Sequence, residues 1–258
     1  MRSVILTRPQ PCPDELRMRW AQAGVSVLHL PTLSLSAISR TEDEARIRTH
    51  WVNYTVAMFV SQHSAEFAHQ HMARLGLHWS ANIYLAAVGK GTHNTLKHLW
   101  PSHARLIQPA PQDSQDSEGL WRSFNTHPQL TGPQNLLIIR AEQGRNTLLQ
   151  LAQQAHWQTD VWPCYRRAPR HWNDDEQTQF AHACAQKALL IITSIEGLSA
   201  LTAQLPPHIL NLARQQRIVT LHPRIAHYAQ TAGFTDVHLC PPDQWAERIP
   251  ILASDTSS

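Results

Sequence analysis

The sequence is short of charge, of paired cysteines and of long apolar runs, and each shortage removes a class of function. Only 16% of its 258 residues are Asp, Glu, Lys or Arg, and the formal net charge is +3. Surface polarity rests on Gln, His, Asn, Ser and Thr. Such a balance favours small anions mildly and lacks the concentrated basic stripe of a nucleic-acid binder, so no nucleic-acid partner is expected. The cysteines Cys12, Cys164, Cys184 and Cys240 are scattered without a CxxC pair, which indicates neither a zinc site nor a disulfide framework. No apolar run approaches the ~20 residues of a membrane span, and the opening strand is too short for a signal-peptide core. A reduced, cytoplasmic chain without membrane contact is the expectation.

Catalytic signatures are missing as well. Seventeen histidines are present, yet no HExxH occurs, and His63, His69 and His71 cannot all share one helical face; no metal is expected. No G-x-S-x-G elbow supports a nucleophilic serine. Gly89-Lys90-Gly91-Thr92 fits neither the Walker loop nor the dinucleotide fingerprint, which disfavours nucleotide-dependent transfer.

What is present is a regular alternation. Short apolar runs at residues 3–7, 25–30, 33–38, 55–60, 83–88, 105–108, 135–139, 158–162, 189–193, 217–221 and 236–239 read as strands, with amphipathic helical stretches between most of them. That is the pattern of parallel α/β sheets. Residues 41–54 read as a helix opened by a Thr41/Glu44 capping box, and 109–119 as a polar loop. At 42% hydrophobic residues, the chain can fill two domains of about 100–150 residues each.

An internal near-repeat organises the strands. Ile191-Ile192-Thr193-Ser194 breaks from strand to helix as Phe59-Val60-Ser61 does, and His222 follows Ser194 by the same 28 positions that separate Gly89 from Ser61. Each copy then reaches a strand ending in proline, at Pro109 and Pro241. Two copies of one βαβαβ arrangement follow.

In parallel sheets ligands meet the loops at the carboxyl ends of strands, where helix N-termini offer free N–H groups. Collecting those tips gives Arg8, Ser61, His63, Ser64, Lys90, Gly91, Thr92, Arg140, Arg145, Tyr165, Arg166, Thr193, Ser194 and Arg224. They are rich in hydroxyls and cations and poor in carboxylates apart from Glu142, a donor set suited to a polyanion. Ser61 and Ser194 also read as plain helix N-caps, Arg140 and Arg145 as solvated charges, and Tyr165 as an aromatic packing on a domain face.

In this order the tips resemble the uroporphyrinogen-III synthase family over nearly the whole chain. The matching segments are Ile5-Leu6-Thr7-Arg8-Pro9, Phe59-Val60-Ser61-Gln62-His63-Ser64-Ala65, Ala87-Val88-Gly89-Lys90-Gly91-Thr92, Leu137 through Arg145, Val161 through Arg167, and Ile191-Ile192-Thr193-Ser194. Departures stand at Val60, at Ala141 and over His222-Pro223-Arg224-Ile225.

The resemblance implies two flavodoxin-like (Rossmann-like) three-layer α/β domains with parallel five-stranded sheets, joined by a two-stranded β linker, with the active site in the cleft. The implied boundaries are 1–34 plus 171–258 for one domain and 40–163 for the inserted one, with linker strands at 35–39 and 164–170. It implies a cofactor-free lyase, acting as a monomer, that dehydrates and cyclises hydroxymethylbilane with inversion of ring D. The product is uroporphyrinogen III, the precursor of haem, sirohaem and cobalamin. Tyr165 matches the family tyrosine that assists departure of the hydroxyl, and the other thirteen tips would hold substrate. The residues alone leave open a two-domain binding module for a small polyanion, or a catalytically weakened homologue.

Overall fold

The computed structural model describes residues 2–144 and 146–254. The chain divides into two compact units, Met1–Ser34 with Ala168–Ser258, and Leu35–Arg167.

In the first unit, β1 (Arg2–Leu6), β2 (Val25–His29), β9 (Leu189–Ile192), β10 (Ile218–Thr220) and β11 (Val237–Leu239) form a parallel sheet in the order β11-β10-β9-β1-β2. Counted along the unit's own chain this is 2-1-3-4-5, a doubly wound order whose direction of winding switches between β1 and β9. β9 is buried on both faces and is therefore all apolar, Leu189-Leu190-Ile191-Ile192. One face packs through Ile5, Leu190, Ile192 and Ile218 on α7 (Asp174–Ala185), α8 (Ile195–Gln204), α9 (Pro207–Arg214) and α10 (Pro223–Thr231). The other packs through Val4, Leu6, Leu189 and Val219 on α1 (Asp14–Gln22) and α11 (Trp245–Ser254). Trp20 closes this second layer, donating from its indole nitrogen to the Trp245 carbonyl at 3.0 Å.

The sheet of the second unit is formed by β3 (Leu33–Ala37), β4 (Val56–Phe59), β5 (Tyr84–Ala87), β6 (Leu106–Ile107), β7 (Asn135–Ala141) and β8 (Gln158–Pro169), ordered β3-β8-β7-β4-β5-β6, with the start of β3 and the end of β8 belonging to the first unit. Five of these are parallel, and here the switch lies between β4 and β7. The sheet has six strands where five were expected. β8, twelve residues long, is both an inner strand and a linker strand, and β3 joins it as an edge. Ile38 donates to Cys164 and Arg170 to Thr32, so the two run antiparallel. Ala57, Phe59, Leu85, Leu137, Ile139 and Trp162 face α3 (Gln62–Leu75) and the apolar residues Ile47 of α2 (Thr41–His50) and Leu96 of α4 (Lys90–Leu99). Val56, Met58, Leu136 and Ile138 face α5 (Ser117–Thr126) and α6 (Thr147–Gln154).

The near-repeat corresponds to equivalent places in the two sheets. Ser61 and Ser194 are the N-caps of α3 and α8, each accepting from the backbone N–H three residues on. Gly89 and His222 occupy the same position before α4 and α10. The strands that complete each sheet precede the repeat in the first unit (β1, β2) and follow it in the second (β7, β8), a circular permutation of one plan.

Three local expectations fail for identifiable reasons. The Thr41/Glu44 capping box does not form, because α2 starts one residue early for it: Arg40 is the N-cap, without a side-chain bond. Glu44 instead accepts from Ser39 at 2.6 Å and from Arg74. The polar loop ends at Asp116, which caps α5 by accepting from the Gly119 N–H at 2.9 Å; a β-carbon on Gly119 would fall 1.8 Å from the Ser114 carbonyl oxygen. The helix α9, unforeseen, opens on Pro206-Pro207, where proline at the first position costs no hydrogen bond.

Candidate functional site

In the second unit four neighbouring strands, β8, β7, β4 and β5, carry their carboxyl ends to the same edge of the sheet. There Ser61 caps α3 in a reciprocal box with Ser64. Its Oγ accepts from the Ser64 N–H at 3.1 Å, and its own N–H donates to the Ser64 Oγ at 3.0 Å. The Ser64 hydroxyl, fully buried, donates on to the Ser61 carbonyl at 2.6 Å and is thus committed to the cap. The Ser61 Oγ still has its proton and a second lone pair to offer, and it meets Tyr165: Oγ and Oη are 3.1 Å apart, and either oxygen can donate.

Tyr165 owes this position to a β-bulge. Opposite Arg140 and Ala141 of β7 stand Pro163 and Tyr165 of β8, with Cys164 as the extra residue. Ordinary alternation would send Cys164 and Tyr165 to opposite faces; the bulge puts both in the apolar layer beneath α3. Pro163, which has no N–H to give, fits a bulged position in an inner strand. The Tyr165 ring is 3% exposed. It stacks on Phe67 with centroids 5.1 Å apart and planes 7° apart, and lies 5.9 Å from the His63 ring. His63 and Phe67 are four apart on α3 and so share a face; with Ser61 they fix where the phenol points.

The tip after β5 lies against α3. A β-carbon on Gly91 would come within 2.2 Å of the Gln62 side-chain nitrogen, so the bare glycine lets the start of α4 close on the start of α3. Lys90 is exposed in the first turn of α4, and Thr92 is buried two residues on. Arg140 closes β7, its Nη1 donating to the Asn146 side chain at 2.8 Å. Partial burial pulls its guanidinium below the ordinary value, though an arginine remains charged. Arg166, next after Tyr165, is exposed and forks onto Glu142 at 2.6 and 3.0 Å, a carboxylate that Arg40 also binds. These hydrogen bonds hold Glu142 below the usual carboxylate range. Arg145 lies outside the described residues. Burial drives the Cys164 thiol well above its ordinary value, so it stays protonated rather than nucleophilic.

The first unit has its own tips at its own switch point. Thr7, at the end of β1, donates from Oγ1 to the Ile191 carbonyl of β9 at 2.9 Å. Thr193 is half-buried and Ser194 caps α8 through the Gly197 N–H at 3.0 Å. Arg8 folds back on the carbonyls of Gln10 and Pro11 and over the Trp245 ring at 5.5 Å. Arg224 is exposed on α10, whose N-cap His222 accepts from the Arg224 N–H at 3.2 Å. Among the described residues no group of three or more His, Cys, Asp or Glu is placed to hold a metal ion, and no helix is long and apolar enough to cross a membrane.

The tips therefore gather in two sets. Ser61, His63, Ser64, Lys90, Gly91, Thr92 and Arg140 end strands or open helices of the second unit, where Tyr165 and Arg166 lie within β8 beside the end of β7; Arg8, Thr193, Ser194 and Arg224 follow strands or open helices in the first. Phe67 and Asn146 were not anticipated, and Gln62 was noted only as part of the segment from Ser61 to Ser64. Phe67 was readable, since it follows His63 at helical spacing; the Asn146 contact depends on loop geometry.

A sequence profile described as uroporphyrinogen-III synthase HemD matches residues 14–244. The chain belongs to the uroporphyrinogen-III synthase family. The uroporphyrinogen-III synthase of Salmonella typhimurium is 25% identical over 252 residues, covering 91% of this chain and 93% of its own. That of Escherichia coli is 24% identical over 241 residues, with the same coverages. Among solved structures, uroporphyrinogen-III synthetase from Helicobacter pylori aligns with TM-score 0.59 at 14% identity over 97% of this chain and 99% of its own. A mutant uroporphyrinogen III synthase from Thermus thermophilus aligns with TM-score 0.58 at 11% identity over 99% and 97%. These likenesses show the fold.

Within the uroporphyrinogen-III synthase family, the departures of this chain have structural places. Ala141 is buried and pairs with Tyr165 across the bulge. Val60 is half-buried, its N–H donating to the Ile139 carbonyl at 3.3 Å. His222 caps α10 through its ring nitrogen.

Proposed function

We propose that this chain is a uroporphyrinogen-III synthase that dehydrates hydroxymethylbilane and closes it, with ring D inverted, to uroporphyrinogen III. The observation that carries this reading is the pairing of Tyr165 with Ser61 at the switch point of the second unit. The substrate's own pyrrole nitrogens push out the hydroxyl and leave an electrophilic azafulvene, so no cofactor is required. The protein holds the bilane so that the substituted carbon of ring D attacks, through a spiro intermediate, before spontaneous closure yields the symmetric type I isomer. Orientation of this kind is worth several kcal/mol without a strong acid or base.

Tyr165 hydrogen-bonds the departing hydroxyl or gives it a proton. Ser61 supports that role: its Oγ, already accepting from α3, directs its own proton to Oη and stabilises charge growing there. The N-terminal end of α3 adds its positive dipole to the same oxygen. The remaining tips, Arg8, His63, Lys90, Gly91, Thr92, Arg140, Arg145, Thr193, Ser194 and Arg224, supply donors for the eight substrate carboxylates. Ser64 contributes by building the cap, and Arg166 serves through its fork with Glu142. The working form is a cytoplasmic monomer. Arg140→Ala should raise the apparent KM more than it lowers kcat, because carboxylate contacts bind ground and transition states alike; a selective loss of kcat would assign Arg140 a different task.

Incubation with freshly made hydroxymethylbilane, followed by resolution of the isomers, tests the reading. Type III product is expected. Type I alone would mark a binding module or an inactive homologue.

A further inference from the structure

We infer that His71 is a positioning residue for the reaction: it locks the bulge in β8 that aims Tyr165 at Ser61. The inference rests on the role proposed for Tyr165 and adds a residue two turns along α3 from the phenol.

His71 is 5% exposed, unlike most of the chain's histidines. It lies eight residues after His63 and four after Phe67, on the stripe of α3 that faces β8. Its Nε2 is 2.9 Å from the carbonyl oxygen of Cys164, the extra residue in the bulge, and the carbon of that carbonyl forms the peptide bond to the Tyr165 nitrogen. A carbonyl only accepts, so Nε2 carries the proton. Arg74 only donates, and its Nη2 reaches Nδ1 at 3.3 Å. The two contacts together fix the ring's orientation, with Nε2 as the donor to the bulge carbonyl. Arg74 is in turn held by Glu44, whose carboxylate lies 4.0 Å from Nδ1 and accepts from Ser39 at 2.6 Å.

The same carbonyl accepts from the Ile38 N–H at 3.2 Å, so both of its lone pairs are used. Within the bulge the Cys164 thiol lies 3.7 Å from the Ser64 carbonyl and 3.6 Å from the Arg140 carbonyl. A bulged residue leaves the ladder locally unpaired, and one lost lock would let the β8 backbone relax toward regular alternation. That relaxation would turn Tyr165 away from Ser61 while leaving the carboxylate-binding tips in place. A misplacement of about 1 Å at a reacting group can cost on the order of a hundredfold.

His71→Leu, His71→Gln, Tyr165→Phe and the Tyr165→Phe/His71→Leu double variant form the test, each assayed for kcat, KM and melting temperature. His71→Leu should lower kcat at least about fivefold with KM changed less than about twofold. His71→Gln, whose amide can place an N–H near the position of Nε2, should recover most of that loss. If His71→Leu does not fold, His71→Asn replaces it; this polar side chain is too short to reach the carbonyl and should show the same kcat loss. In the double variant the loss should not exceed that of Tyr165→Phe alone, because both act through one hydroxyl. A slow Tyr165→Phe combined with an unaffected or fully additive His71 variant would overturn the positioning role while leaving the tyrosine's role intact. An unimpaired Tyr165→Phe would overturn the reading on which both rest.

Discussion

Tyr165→Phe is expected to slow turnover at least about tenfold, equivalent to roughly 1.4 kcal/mol of transition-state stabilisation. The substitution removes one oxygen and little else. The ring keeps its stacking on Phe67 and its place under α3, and the Ser61 cap survives because its bonds to Ser64 do not involve the phenol. Stability should therefore change little. If the hydroxyl acts only as the leaving group departs, kcat and kcat/KM should fall together. Steady-state rates with fresh hydroxymethylbilane give both numbers, and an unimpaired variant would remove the role.

Trp162→Ala is expected to cost about 3–5 kcal/mol of stability, the range for deleting a fully buried large aromatic. Trp162 is 1% exposed, on the face of β8 beneath α3. Its ring meets Trp51 edge-on at 6.1 Å and the His71 ring at 6.0 Å. The cavity would open at the level of the bulge, where α3 cannot collapse without carrying Ser61, Phe67 and His71 with it. Against a typical total of about 5–15 kcal/mol, such a loss is severe. Urea denaturation should show a clearly lower midpoint; a loss under about 1 kcal/mol would mean that the layer under β8 repacks freely.

Much of the architecture was legible because it rests on local rules. All-apolar runs such as Leu189-Leu190-Ile191-Ile192 mark strands buried on both faces, and Ser61 and Ser194 announce the helices they cap. The equal spacing from Ser61 to Gly89 and from Ser194 to His222 revealed the duplication. What stayed hidden depends on contacts distant in sequence. Glu44 looked like a capping partner for Thr41 until Ser39 and Arg74 claimed it. Arg166 looked like a free donor, but Glu142, 24 positions away, engages both arms of its guanidinium. The bulge had only Pro163 as its signal, and a proline does not say which neighbour will be re-aimed. The contact of Tyr165 with Ser61 follows from that single extra residue, so both residues could be nominated from sequence while their pairing could not.

In the proposed reaction the work is divided: contacts along the bilane decide which carbon bonds, and Tyr165 only eases the hydroxyl's exit. The most direct test is the isomer composition formed by Tyr165→Phe in a single turnover with protein in excess over substrate, corrected for uncatalysed closure. Type III should still predominate although it forms more slowly. A shift of the protein-made product to type I would show that the tyrosine itself governs ring inversion, and would contradict that division.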